Sequence, residues 1–103
     1  MARCRNCKPV PEEVRRAADL LERRWTISVV YASFAGAARF NEFKQACGQI
    51  PPRTLAERLR ELEAAGVLEK EVVAASPPYY EYRLTERGRR LGPVVRALAG
   101  LTS

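Results

Sequence analysis

The stretch from Ile50 to Gly66 constrains this chain more than any other. Pro51 and Pro52 can stand in the opening turn of a helix but not inside one, so they fix where a helix begins. Leu55, Leu59 and Leu62 follow at helical spacing along one side, and Ala65-Gly66 closes the segment. At 100° per residue, Arg53, Glu57 and Arg60 fall opposite the leucines, with Thr54, Arg58 and Glu61 on the flanks. A helix anchored by one apolar stripe and carrying Arg and Thr in its first half suits a major groove. There arginine can bond bidentately to guanine. The same pattern also describes a solvated amphipathic helix, so the neighbouring elements decide between the two.

Upstream, Gly48-Gln49-Ile50 reads as a tight turn after a short helix marked by Phe40, Phe43 and Cys47. That helix exposes Glu42, Lys44 and Gln45. Before it, a central helix starts near Trp25, carries Ile27, Val30, Tyr31 and Phe34 at i, i+3, i+4, i+7, and ends at Gly36. Val29 and Ala32 add apolar surface to its other sides. Pro11-Glu12-Glu13 opens a first helix, with Val14, Ala17, Ala18 and Leu21 as its stripe. Downstream, Val67–Val73 and Tyr80–Leu84 read as strands around an Ala74–Pro78 loop. Thr85 is placed to cap a final helix bearing Leu91, Val94, Val95, Leu98 and Leu101, in which Pro93 predicts a kink. The order predicts an α+β, mostly helical fold, a winged helix-turn-helix with a two-stranded wing. Extra N- and C-terminal helices would serve dimerisation. Residues 1–10 form a basic arm and 11–103 the folded domain.

Charge and residue usage narrow the function. Eighteen Lys and Arg against twelve Asp and Glu leave +6 on 103 residues, a balance suited to a polyanion. Histidine is absent, which removes His-based triads, general bases and metal ligands. With no Gly-rich phosphate loop and no paired-carboxylate site, the chain reads as no enzyme, with no cofactor. Cys4-x-x-Cys7 has metal-ligand or redox spacing, but a zinc site would need further ligands, so no metal is expected. Cys47 faces the core as a small apolar residue, and Trp25 is read as core too. The N-terminus lacks an apolar run, and the longest uncharged stretch, Trp25 to Ala38, falls short of the ~20 residues a membrane span needs. Three cysteines cannot all pair within one chain, which suits the cytoplasm better than a secreted scaffold.

Three segments together resemble the HxlR family of bacterial regulators, a MarR-like branch of winged-helix proteins. They are Arg39-Phe40-Asn41-Glu42-Phe43, Ile50-Pro51-Pro52-Arg53-Thr54-Leu55 and the run Arg58-Leu59-Arg60-Glu61-Leu62 through Ala65-Gly66-Val67-Leu68. Pro77-Pro78 with Glu81-Tyr82-Arg83-Leu84-Thr85-Glu86-Arg87-Gly88 resembles that family's wing and last helix. Asp19-Leu20-Leu21 to Trp25 resembles its first helix junction. The resemblance implies a homodimeric DNA-binding transcription factor, most often a repressor. Three positions depart from the family pattern. Pro51 stands where a serine is usual, Tyr79 where the wing tip usually has arginine, and Glu12 where the family's sensing cysteine sits.

On this reading Arg53, Thr54 and Glu57 are the expected base readers, and Arg58 and Arg60 flanking or phosphate contacts. Lys44, Gln45 and Gln49 should approach the DNA backbone at the turn, with Arg39, Lys70 and Arg83 adding phosphate contacts. Tyr79 and Tyr80 either touch sugar-phosphate or pack on the hairpin. Cys4 and Cys7 are redox candidates, because Arg3, Arg5 and Lys8 favour their thiolates; the alternative is that they are incidental arm residues. The expected partners are double-stranded DNA and a second copy of the chain, with an oxidant or small molecule as effector and no membrane. The rival reading is a winged helix that binds protein and no DNA.

Overall fold

The computed structural model describes residues 3–102, so Met1 and Ala2 of the arm and Ser103 of the domain lie outside the described residues. Six helical segments and two strands follow in the order α1 Glu12–Leu21, α2 Thr26–Phe34, α3 Phe40–Ala46, α4 Pro52–Ala64, β1 Leu68–Val73, β2 Tyr79–Leu84, α5 Glu86–Arg89 and α6 Gly92–Ala99. The two strands pair antiparallel, with Leu68 opposite Leu84 at the base and Val73 opposite Tyr79 near the tip. This is the winged helix-turn-helix expected from the residue pattern.

Burial of one stripe sets the orientation of α4. Leu55, Leu59 and Leu62 are all fully buried, against Phe43 of α3, Val29 and Val30 of α2, Ile50 of the turn and Leu68 of β1. Each such side chain contributes about 1.5–3 kcal/mol on leaving water. Gly48 makes the turn before α4 possible, since its φ of 73° is one that side chains resist. The wing is tied down at its root. The backbone N–H of Tyr82 donates to the carbonyl of Ala38 at 2.7 Å, and its ring meets Phe43 edge-on at 6.3 Å. Thr85 caps α5 as expected: its Oγ1 accepts from the N–H of Gly88 and donates to the carbonyl of Gly66.

Two expectations are corrected. The buried residues of α2 are Thr26, Val29, Val30, Ala32 and Ser33; of the expected Ile27, Val30, Tyr31 and Phe34 only Val30 is buried, Ile27 and Phe34 are half-buried, and Tyr31 is 49% exposed. Apolar residues lie on every side of this helix, so periodicity alone could not select the buried one. The helix starts at Thr26 because Trp25 has φ 79°, outside helical space. Trp25 itself packs half-buried against the core. The final helix is broken rather than kinked: α5 ends at Arg89, and Pro93 sits in the first turn of a separate α6, where its missing N–H costs nothing. Of the expected C-terminal stripe Val95 is buried and Leu91 half-buried, while Val94, Leu98 and Leu101 are exposed. On α1 no residue is buried, and Val14 is half exposed.

At Gly88 the backbone packs so closely on Val67 that a Cβ would overlap the Val67 carbonyl oxygen. Neither partner is a flexible side-chain end that could swing away. Gly88→Ala should therefore lower stability by about 1–3 kcal/mol, read as a fall in the urea midpoint at unchanged slope.

Candidate nucleic-acid interface

The helix-turn-helix is held by local chemistry at each end. Glu42 reaches back from the first turn of α3, where its Oε1 accepts the N–H groups of Ala38 and Arg39, both at 2.9 Å. Those bonds, led by the one from Arg39, hold the Glu42 carboxyl below the usual carboxylate range. Lys44, Gln45 and Gln49 are exposed along α3 and the turn, as expected of groups near a backbone.

On α4 the outward face carries Arg53, whose side chain is 93% exposed. Its Nε stands 3.7 Å from a carboxylate oxygen of Glu57, one turn on. A surface pair of that length is worth little and leaves the guanidinium free to exchange partners. Arg60 is exposed as well, and Thr54 is half-buried beside the turn.

Arg58 does not join them. It was expected as a flanking or phosphate contact, yet it is 7% exposed. Its Nε donates to the carbonyl of Arg24 at 2.8 Å, and its Nη1 to both oxygens of Glu61 at 3.1 and 3.2 Å. Glu61 also pairs with Arg23 at 3.2 Å. Arg58 thus ties α4 to the segment entering α2.

The wing sorts its charges by face. Strand alternation and the register put Lys70, Val72, Tyr80 and Tyr82 on one side, and Glu69, Glu71, Glu81 and Arg83 on the other. Arg83, an expected phosphate contact, is held by Glu81 at 2.9 Å and Glu71 at 3.5 Å. The hydrogen bond that Arg83 donates to Glu81, then the Glu71 charge, raises its pKa further, so a phosphate would have to displace two carboxylates. Lys70 instead lies over the Tyr80 ring at 4.2 Å, with Tyr80 and Val72 both more than half exposed. The Arg39 guanidinium stacks on Tyr79 at 3.7 Å, which joins the start of α3 to the start of β2.

One pair escaped the residue-level reading. Arg24 stacks on Trp25 at 5.3 Å, and both line a 460 Å³ cleft with Gln49, Pro51, Thr54 and Arg58. The adjacency of a cation and an aromatic just before the central helix was the available signal.

In the arm, Cys4 and Cys7, the redox candidates, are joined in a disulfide, with Cα atoms 5.4 Å apart. Cys47 is free and half-buried, and burial pushes its thiol up, away from the reactive form. Among the described residues no cluster of three His, Cys, Asp or Glu side chains could hold a metal, and no helix is long and apolar enough to cross a membrane.

Comparison with known proteins gives one consistent result. The profile of the HxlR-like helix-turn-helix family matches residues 20–103. The uncharacterized helix-turn-helix-type transcriptional regulator YvaP of Bacillus subtilis (strain 168) is 38% identical over 80 residues, covering 78% of this chain and 74% of that protein. The similarly described YybR of the same organism is 44% identical over 77 residues, covering 75% of this chain and 62% of its own length. Among solved structures, the redox regulator HypR in its reduced form superposes with a TM-score of 0.76 at 40% identity, over 84% of this chain and 86% of that one. Diamide-treated YodB from B. subtilis gives 0.77 at 30% identity, over 89% and 91%.

The Glu42 cap has a pH signature. Because its folded pKa is depressed, its contribution to stability is present above the ordinary carboxylate range and is lost as pH falls through the folded value. Thermal melts of Glu42→Gln should fall below wild type near neutrality and converge with it in acid.

Proposed function

The chain belongs to the HxlR-like helix-turn-helix family and is a transcriptional regulator, not an enzyme, and from that premise we propose that it binds specific double-stranded DNA sites as a cytoplasmic homodimer, acting as a repressor. The observation that carries the reading is Arg53. It projects almost fully exposed from the first turn of a helix whose opposite face is buried, next to a turn lined by Lys44 and Gln49. In this reading Arg53 reads a base edge with Glu57 setting its angle. Lys44, Gln45, Gln49, Arg60 and Lys70 contact backbone, and Tyr79 holds Arg39 near the wing tip.

Dimerisation follows from what the single chain leaves uncovered. Val10, Val14, Val94, Leu98 and Leu101 are all exposed, on or beside α1 and on or just after α6. Pairing those surfaces about a two-fold axis buries them and sets two copies of α4 about one DNA turn, ~34–36 Å, apart.

The effector in this reading is an oxidant, and the arm is its target. Two thiols, Cys4 and Cys7, close to one disulfide, and their two electrons and two protons pass to the oxidant, which leaves as water from a peroxide or as the hydrazine from diamide. HypR is named a redox regulator and YodB was studied after diamide treatment, which favours this over a small-molecule effector. Titrating DNA affinity of wild type and the Cys4→Ser, Cys7→Ser double mutant with diamide decides it. Loss of the response in the mutant is expected, and an identical response in both would leave the arm without a sensing role.

Mobility-shift titrations against selected sites test the main reading. The wild-type complex should carry two chains per duplex. Arg53→Ala should cost ~1–3 kcal/mol and relax preference at one base pair. Lys44→Ala should weaken all sequences alike and flatten the salt slope by about 1. A wild-type chain that shifts no duplex would make the protein-binding alternative the better account.

A further inference from the structure

We propose that the cleft between the start of α2 and the start of α4 seats one DNA backbone phosphate, with Arg24 as its charged partner. The proposal deepens the DNA-binding reading and rests on it. The cleft is walled by Arg24, Trp25, Gln49, Pro51, Thr54 and Arg58, and holds about 460 Å³. No carboxylate lines it. Its polar groups are two guanidinium groups, a side-chain amide and a hydroxyl, so every one of those side chains can donate a hydrogen bond.

The two arginines have different duties. Arg58 is buried on Glu61 and on the Arg24 carbonyl, so it forms the floor and its charge is matched. The Arg24 guanidinium is exposed, and among the described residues no ion pair to a carboxylate holds it. Its one described side-chain partner is the face of Trp25, at 5.3 Å. The ring holds the guanidinium beside the cleft without using its N–H groups on a carboxylate, so they can bind a phosphate with two parallel hydrogen bonds. The Arg58 bond clamps the Arg24 backbone to α4, which holds the cation at a set distance from the recognition helix.

Position identifies the anion as a phosphodiester. Thr54 directly follows Arg53, and Gln49 lies in the turn. A phosphate in this cleft is therefore adjacent to the bases that Arg53 would read. Thr54, half-buried in the wall, gives its hydroxyl to this phosphate rather than to a base. Such a contact carries no sequence information; it sets the register of α4 in the groove.

Trp25 is the only tryptophan in the chain, so its emission reports on this wall of the cleft. Binding of a random-sequence duplex and of a selected site is measured across a salt series, with Trp25 fluorescence recorded at saturation. Wild type should show a change in Trp25 emission with both duplexes. Arg24→Ala should weaken both duplexes by the same factor, flatten the salt slope by about 1 and abolish that emission change. Arg24→Lys should keep the slope, since the charge stays, and bind more weakly than wild type, since the fork is gone. Circular dichroism checks that each variant is folded. An Arg24→Ala protein with the wild-type slope overturns the proposal, as does unmoved Trp25 emission in saturated wild type. So does an Arg24→Lys slope as flat as that of Arg24→Ala. In each of these cases a persisting Arg53→Ala defect leaves DNA binding itself standing, whereas a wild type that binds neither duplex removes that reading too.

Discussion

The Arg58 network is the contact on which the geometry of the binding face depends. Burying the leucine stripe of α4 fixes the rotation of that helix, but a stripe packed on a smooth core still allows sliding along the axis. The bond from Arg58 Nε to the Arg24 carbonyl joins residues 34 apart in sequence, and the Glu61 carboxylate is shared between Arg58 and Arg23. Together they pin the middle of α4 to the entrance of α2. A buried guanidinium is costly unless its donors are met, and here the carbonyl and the carboxylate meet them. The orientation of Arg53, about one and a half turns earlier on another face, is a consequence of this pinning.

Much of the fold was legible in local chemistry, because its boundaries rest on residues that act alone. Pro51-Pro52 can open a helix in one place only, Thr85 caps where it was expected to cap, and the alternation of Tyr80 to Leu84 marks a strand. What was not legible needed partners distant in the chain. Arg58 lies about 60° around the helix from Leu55, at the margin between core and solvent. Which way it turns is decided by a carbonyl on another element. Arg83 looks like a free cation until the strand register brings Glu71 across from Glu81 beside it. The face of α2 was ambiguous for a different reason: a helix apolar on all sides carries no periodic instruction, and only the arrangement of α3, α4 and α6 around it selects Val29 and Val30.

Net charge is a poor guide to where this chain can bind a polyanion. The excess of six positive charges is a property of the composition, while availability is a property of pairing. Arg23 and Arg58 are matched by Glu61, Arg16 by Glu12 and Arg83 by two carboxylates. The face of the wing that holds Arg83 also carries Glu69, Glu71 and Glu81, so it repels phosphate overall. The opposite face offers Lys70 over Tyr80, a cation resting on an aromatic beside exposed Val72. A wing of this composition would meet DNA with an apolar and aromatic surface where an arginine tip would insert a charge. In the proposed DNA-binding reading, the larger share of the electrostatic attraction would then fall to the helix-turn-helix, through Arg53, Lys44, Arg60 and Arg24.

That division of labour bears on how an arm signal could reach the binding face. The arm enters α1 through Pro11, and α1 buries no residue of its own in the single chain. Leu20 packs half-buried on the core, while Val14 and Ala17 are exposed and in the proposed dimer would be covered by a second copy, so a change in the arm would reach the start of that interface. From α1 the chain passes through Arg23 and Arg24 into α2 within a few residues. Arg23 bonds Glu61, and the Arg24 carbonyl bonds Arg58, so the junction between α1 and α2 is the same place that pins α4. In the proposed dimer, a shift of α1 against its partner would reach α4 through these two contacts, both made by the short turn between α1 and α2. Coupling of this kind needs only that the dimer have two packings of similar energy, one favoured by each redox state of the arm.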